Sequence, residues 1–201
     1  MEAINGKRNG TFTIRILDVY VGIVLLFISF PFWIVIGVLI KLTSPGPVFY
    51  IQERLKEYKR PFKLIKFRTM FVKAEENGPM WANKNDSRVT PFGRFLRKTR
   101  LDELPQLINV LKGDLSIVGP RPIREHFAVL LNNHNSAYDK RFTVKPGLTG
   151  WAQIYALYGT TIEEQMEKLP YDLMYLEGIT VKDYFKIIAL TAKTIVMGKG
   201  V

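Results

Sequence analysis

Two adjacent carboxylates, Asp102 and Glu103, sit between a basic run, Arg97-Lys98-Thr99-Arg100, and the segment Leu104-Pro105-Gln106. A carboxylate in such a place can act as a nucleophile, hold a hard cation or move a proton, and the cations beside it suit phosphate. Leu104, Leu107, Ile108 and Leu111 recur at helical spacing, and Gly113 offers a stop. The pattern predicts a helix that begins at the carboxylates. Asp102 would be its N-cap, and Pro105 would lie in a first turn whose amides have no intrahelical partner. Both carboxylates would then stand at the positive end of a helix dipole, where phosphate also binds. Ordinary capping uses the same residues, so the chemistry has to be judged from their company.

Upstream, Lys66-Phe67-Arg68-Thr69-Met70 ends a β-rich segment with two cations that either form a solvated edge or face a substrate. Downstream, Gly119-Pro120-Arg121-Pro122 flanks one guanidinium with prolines. Such a stiff mount suits bidentate phosphate binding, although a rigid turn with its arginine in water has the same sequence. Lys145-Pro146-Gly147-Leu148-Thr149-Gly150-Trp151-Ala152-Gln153 follows. Gly147 and Gly150 permit close backbone approach to a ligand, though two glycines alone are weak evidence.

The elements that must position these groups begin with an uncharged stretch, Val19 to Ile40, long enough to cross a bilayer at about 20 residues. Pro31 interrupts it at the middle, and Ser29 can satisfy carbonyls freed there. Both flanks are basic: Lys7, Arg8 and Arg15 before, Lys41, Arg54, Lys56, Lys59 and Arg60 after. A simple span would carry one basic flank across the membrane, against the charge bias. Val48–Gln52 and Phe62–Phe67 read as two strands joined by the charged turn Lys56–Pro61. Helices are expected at Pro91–Thr99, Ile123–Asn132, Ile162–Leu176 with an interruption at Pro170, and after Thr180. Phe92, Phe95 and Leu96 make the first of these amphipathic and basic, as a helix in a membrane interface is. In the last one, Val181, Tyr184, Phe185, Ile188, Ile195 and Val196 form an apolar stripe read as core.

At 201 residues the chain predicts one domain, and its net charge of +11 predicts a polyanionic partner. No nucleic-acid-binding signature is present, which leaves an anionic phospholipid bilayer and nucleotide-sugar phosphates. With no cysteine, and with His126 and His134 at no zinc spacing, any metal should be hard and oxygen-bound, magnesium first.

Taken together and in this order, the four motifs resemble the bacterial sugar transferase family, the monotopic phosphoglycosyl transferases, from about Arg15 to near the C-terminus. The resemblance implies transfer of a phosphosugar from a UDP-sugar to polyprenyl (undecaprenyl) phosphate, giving polyprenyl-diphosphate-sugar and UMP. It implies Asp102 as the nucleophile that forms an aspartyl-phosphosugar, and Glu103 as a Mg2+ ligand or base for the acceptor, with Asp102 also at the metal. Arg97 and Arg121 would hold phosphate oxygens together with Lys66 and Arg68, and Gly147, Gly150 and Gln153 would belong to a substrate-binding motif. The fold implied is a single domain over 1–201, mainly α with a small β-hairpin (α+β). Residues 16–40 would form a membrane helix-break-helix that re-enters at Pro31, and 41–201 a globular part on the cytoplasmic face of the bacterial inner membrane. Amphipathic interfacial helices would complete it. This predicts the first membrane step of glycoconjugate assembly. The alternative is a non-catalytic membrane-anchored scaffold or regulator that keeps the fold.

Overall fold

The computed structural model describes residues 2–197 apart from 77, 82, 84, 85, 157 and 158, with side chains from residue 12 onward. The side chains of Lys7 and Arg8 therefore lie outside the described residues.

The apolar run becomes one helix, α1 (Glu2–Thr43), with Pro31 inside it. The expected helix-break-helix is not what the backbone forms, because helical geometry continues through the proline. Proline removes one intrahelical bond and can bend a helix without ending it. Ser29 supplies local polar partners there, donating from Oγ to the Leu26 carbonyl at 3.3 Å and accepting from Trp33 Nε1 at 3.2 Å.

α1 lies along the rest of the protein rather than leaving it. Ile14, Asp18, Gly22, Ser29, Ile36 and Ile40 are buried and recur at helical spacing, whereas Phe27, Ile28, Phe30, Phe32, Ile34 and Val35 are exposed. Two anchors hold the buried stripe. At one, the Asp18 carboxylate accepts from Ser116 Oγ (2.9 Å), Ile117 N–H (2.8 Å) and Tyr184 O–H (3.1 Å). Close by, Arg15 donates to the carbonyls of Val110 and Leu111, in the last turn of the helix that ends at Lys112. At the other anchor, Trp33 meets Phe67 and Phe49 edge-on, and Ile36 and Ile40 pack with Phe67 and Leu96. The long apolar helix, with so much of it exposed, fits association with a membrane.

Strands β1 (Phe49–Leu55) and β2 (Pro61–Phe67) form the expected antiparallel hairpin, Phe49 opposite Phe67 and Leu55 opposite Pro61. Their turn places Tyr58 and Lys59 at φ 60° and 57°, a left-handed bend made without glycine. Helix α2 (Pro91–Lys98) starts at Thr90, whose hydroxyl accepts from Gly93 N–H at 2.9 Å. A Cβ at Gly93 would stand 2.1 Å from the Thr69 carbonyl, so glycine is what lets α2 reach the end of β2. Leu96 of α2 is buried, while Phe95 is exposed and stacked on Phe92, an apolar edge of the kind an interfacial helix presents.

After a 3-10 turn at Leu101–Glu103 comes α3 (Gln106–Lys112), closed by Gly113 at φ 87°. β3 (Ser116–Val118) then pairs in parallel with β4 (Gly147–Thr149), a ladder the sequence pattern does not announce. Between them run α4 (Glu125–His134) and a 3-10 stretch, Ser136–Thr143, packed in a satellite cluster around Leu131, Tyr138, Phe142 and Leu169. α5 (Trp151–Tyr155), α6 (Ile162–Met166) and α7 (Leu169–Leu173) are short, Pro170 falling in the first turn of α7. Thr180 caps α8 (Val181–Val196) as expected. Its apolar stripe splits: Tyr184 and Ile187 are buried in the main core, but Val181, Phe185 and Val196 are exposed.

Candidate active site

The centre of the molecule is the turn that carries Asp102 and Glu103. Arg100 enters it at φ 57°, ψ 14°, a left-handed conformation uncommon for a residue with a side chain. This kink separates the basic end of α2 from the dyad. Asp102 is not the N-cap that the spacing predicts: it lies inside the 3-10 turn, makes no capping bond, and α3 begins four residues later. Both carboxylates are buried, each 7% exposed.

Their surroundings differ sharply. Glu103 Oε1 accepts from Arg121 Nη2 at 2.7 Å, with Lys66 Nζ at 4.0 Å and Arg100 Nη1 at 3.8 Å from its carboxylate. Burial alone would raise its pKa, but Arg121, Arg100 and Lys66 together hold it down at about 2. The Asp102 carboxylate has no hydrogen-bond donor among the described residues. Burial first, and then repulsion from Glu103, push it up to about 6, against the pull of Lys66, Arg97 and Arg121. Lys66 is lowered to about 8 by burial and by Arg121, with Glu103 and Asp102 opposing.

Three supports hold this constellation. Lys66 stands on β2, which Asn109 of α3 pins: its Oδ1 accepts from Ile65 N–H at 3.1 Å and its Nδ2 donates to the Lys63 carbonyl at 2.8 Å. Arg121 follows β3, and its carbonyl accepts from Arg141 Nη2 at 2.8 Å. Arg141 is itself buried against Asp172, at 2.9 Å from Nε and 2.8 Å from Nη2. Arg97 donates from Nε to Thr69 Oγ1 at 2.9 Å, which fixes its guanidinium near Asp102 without a direct bond.

Other sequence-predicted residues are placed elsewhere or used differently. Arg68 is a correction. Its guanidinium is buried against the Pro45 and Ser44 carbonyls, at 2.6 and 2.7 Å, and closes the end of α1. Strand β2 ends at Phe67, so the alternation that would put residues 66 and 68 on one face stops between them. Gly147 and Gly150 are also put to another use. A Cβ on Gly147 would lie 2.0 Å from Gly119 N, and one on Gly150 would lie 2.4 Å from Gly119 O. The close approach that needs these glycines is between the end of β3 and β4 with the residue after it, two residues before Arg121. Gln153 is half-buried, and neither of its side-chain amide atoms has a partner among the described residues.

Sequence reasoning missed Arg54, Arg124 and Lys168. Arg54 of β1 donates from Nη1 to the Pro122 carbonyl at 3.2 Å, and burial, with repulsion from Arg121 and Arg124, lowers its proton affinity. Burial and Arg121 do the same to Lys168. Crowded cations of this kind are relieved by an anion. No local signal marks them, because each comes from a different element. A magnesium ion takes one or two carboxylates and otherwise oxygens of water and phosphate. The dyad fits that donor set: Asp102 has unengaged carboxylate oxygen, whereas Glu103 is already shared among cations. Among the described residues no group of three or more acidic or imidazole side chains offers a richer cage.

Comparison with known proteins gives the family. Residues 9–198 match the family described as bacterial sugar transferase. The chain is 37% identical over 186 residues to the UDP-N-acetylgalactosamine-undecaprenyl-phosphate N-acetylgalactosaminephosphotransferase of Aeromonas hydrophila, covering 92% of this chain and 44% of that protein. It is 41% identical over 179 residues to the UDP-glucose:undecaprenyl-phosphate glucose-1-phosphate transferase of Klebsiella pneumoniae, covering 88% of this chain and 38% of that one. With a protein of the same name from Caulobacter vibrioides it shares 36% over 187 residues, 90% of this chain and 68% of the relative. The chain thus spans less than half the length of the first two relatives.

Proposed function

Because this chain belongs to the bacterial sugar transferase family, we propose that it moves a sugar 1-phosphate from a UDP-sugar to polyprenyl (undecaprenyl) phosphate, releasing UMP. The observation that carries the reading is the asymmetric dyad: a buried, hydrogen-bond-free Asp102 beside a Glu103 held by cations.

In the first step an Asp102 Oδ attacks the β-phosphorus of the donor. The Oδ–P bond forms, the bond from phosphorus to the bridging oxygen breaks, and UMP leaves with the electron pair. An oxygen of polyprenyl phosphate then attacks the same phosphorus, and the Asp102 carboxylate departs. Covalent catalysis splits a transfer between two anions into two steps. With a pKa of about 6 Asp102 is mostly ionised at neutral pH, and lacking donors it keeps its lone pairs available. Glu103, held near 2, is a poor base. The acceptor needs none, since a phosphate monoester has a second pKa of about 6. Glu103 instead fixes Arg121 and Lys66 where the transferring phosphoryl group would pass, and Arg97, Arg54 and Lys168 extend the positive wall toward the donor diphosphate. Asp102 and Glu103 would hold Mg2+, which when bound supplies charge neutralisation between donor and acceptor.

A lipid acceptor requires the site to sit at a bilayer. Both anchors of α1 tie to the same globular body, one through Asp18 and the other through Trp33, Ile36 and Ile40. This favours a bent helix that re-enters over a span, with the catalytic part on the cytoplasmic face of the inner membrane. The net charge of +11 adds attraction to anionic lipid, roughly 1 kcal/mol per well-placed Lys or Arg. Since the chain has no cysteine, single cysteines at positions 5 and 63 can be labelled in intact cells. Protection of both from an impermeant reagent agrees with re-entry, and labelling of position 5 alone refutes it.

The activity is tested by incubating the purified protein with Mg2+, undecaprenyl phosphate and a panel including UDP-glucose and UDP-N-acetylgalactosamine. Stoichiometric UMP and a lipid-linked diphosphate sugar are expected with at least one donor. UMP appearing in amounts unrelated to lipid product would mean hydrolysis instead, and no reaction across the panel would favour a scaffold that kept the fold.

A further inference from the structure

The side chain of Gln106 is only 3% exposed, yet its amide nitrogen Nε2 has no hydrogen-bond partner among the described residues. A buried donor left without an acceptor is costly, and its persistence in a packed site asks for a reason. Its position supplies one. Gln106 is the first residue of α3, three and four residues after Glu103 and Asp102, and the intervening Leu104 and Pro105 are right-handed helical (φ −52° and −62°). A long side chain on a helix leans back over the turn that precedes it, which here is the turn of the dyad. Glu103 already has Arg121, Arg100 and Lys66. Asp102, buried to the same degree, has no donor among the described residues. A partnerless donor and a donorless acceptor therefore stand about one helical turn apart.

Resting on the two-step reading above, we propose that Gln106 is a further catalytic residue. Its Nε2–H donates to the Asp102 oxygen that does not attack, or to the phosphoryl oxygen once it is attached, as the aspartyl-phosphosugar forms. The donor is neutral, so it steadies the acyl phosphate without adding to the charge that already crowds the site. In the ligand-free geometry the contact is not made. Catalytic hydrogen bonds are often long in that state and tighten when substrate enters, and a bond gained only along the reaction lowers its barrier. The step itself is unchanged in its balance: Oδ–P forms, P–O to UMP breaks, and Gln106 keeps its proton.

The test uses the whole protein, Mg2+ and the donor that supports turnover, without lipid, and follows the UMP burst by rapid quench. Wild type and Gln106→Leu are compared, with Gln106→Met as a second variant of similar volume. Exchanging an unsatisfied amide for an apolar group of like shape is near neutral or stabilising, so thermal stability should be unchanged or higher. The burst rate constant is expected to fall by about 100-fold, as when one oxyanion donor is lost, with the donor Kd within about threefold. A burst within about twofold of wild type in either stable variant overturns the assignment. So does a loss of burst that tracks loss of folded protein in both variants, because that marks a structural residue. If wild type gives no burst yet makes product when lipid is added, it is the covalent reading that fails, and the role of Gln106 falls with it.

Discussion

Asp18 and Asp102 are both aspartates buried in this protein, at 2% and 7% exposure, and they are treated in opposite ways. Asp18 lies on α1 and receives three donors, from Ser116, Ile117 and Tyr184, which tie the membrane-associated helix to β3 and α8. Among the described residues Asp102 receives none, and it is flanked by a left-handed Arg100 and by Gln106, whose Nε2 has no partner among them. A buried carboxylate whose Oδ1 accepts from three donors fastens elements together. One left without donors keeps its lone pairs for a reaction. The number of donors, more than burial or residue type, separates the fastening aspartate from the one proposed to react.

The contrast is most severely tested at Asp102. Asp102→Asn should reduce transfer to background and remove any UMP burst, with thermal stability equal to wild type or better. Near-normal turnover in that variant would make Asp102 another structural carboxylate and dissolve the comparison. Asp18→Ala should do the reverse, lowering stability in detergent by about 3 kcal/mol as three donors lose their acceptor, while the folded fraction keeps its specific activity. Lost activity at full stability would show that the anchor acts on the site itself. Arg121→Lys sharpens the comparison at the partner of Glu103. A single ammonium cannot bridge two oxygens in a plane, so a loss of about 30-fold in kcat/KM is expected. Stability should hardly change, since Arg141 grips the backbone carbonyl and not the side chain.

The smallest effect is on pH. With Asp102 near 6 and Lys66 near 8, the first step should rise through the lower value and decline above the upper one. For stability, the raised folded pKa of Asp102 means that the folded state binds more protons than the unfolded one between about 4 and 6. Stability from this group is therefore lost as pH climbs through that window. Replacing it with Asn should stabilise the protein by on the order of 2 kcal/mol above pH 7, and by nothing below about pH 4. A stability gain that is the same at pH 4 and pH 8 would assign it to packing rather than to ionisation.

The dyad and the proline-flanked arginine were legible in the sequence because their groups are adjacent along the chain. The hairpin and the long helix were legible for a related reason: their periods and lengths are local properties. Thr90 and Thr180 cap helices where a hydroxyl precedes a periodic run. Asp102 misled for an instructive reason. Its type and spacing suit an N-cap, but Arg100 turns left-handed and the tighter 3-10 turn draws the carboxylate inside. At Pro31 the sequence suggested a break in the helix, but proline removes only one helix bond and α1 runs on through it.

By itself, then, the sequence determined which residue types stand next to one another, where regular structure begins and ends to within a few residues, and that one long segment is apolar. Adjacency and period are properties of the chain, and no folding is needed to read them. Only the tertiary structure decided which charges meet. Lys66 and Arg121 come from β2 and from the end of β3 to join Arg100 at Glu103, Arg68 turns away to close α1, and Gly119 nests against Gly147. Coulomb energy and hydrogen bonding depend on distances of a few ångströms, and packing sets those distances between residues far apart in the chain. The difference between a bonded Asp18 and an unbonded Asp102 comes into being only there.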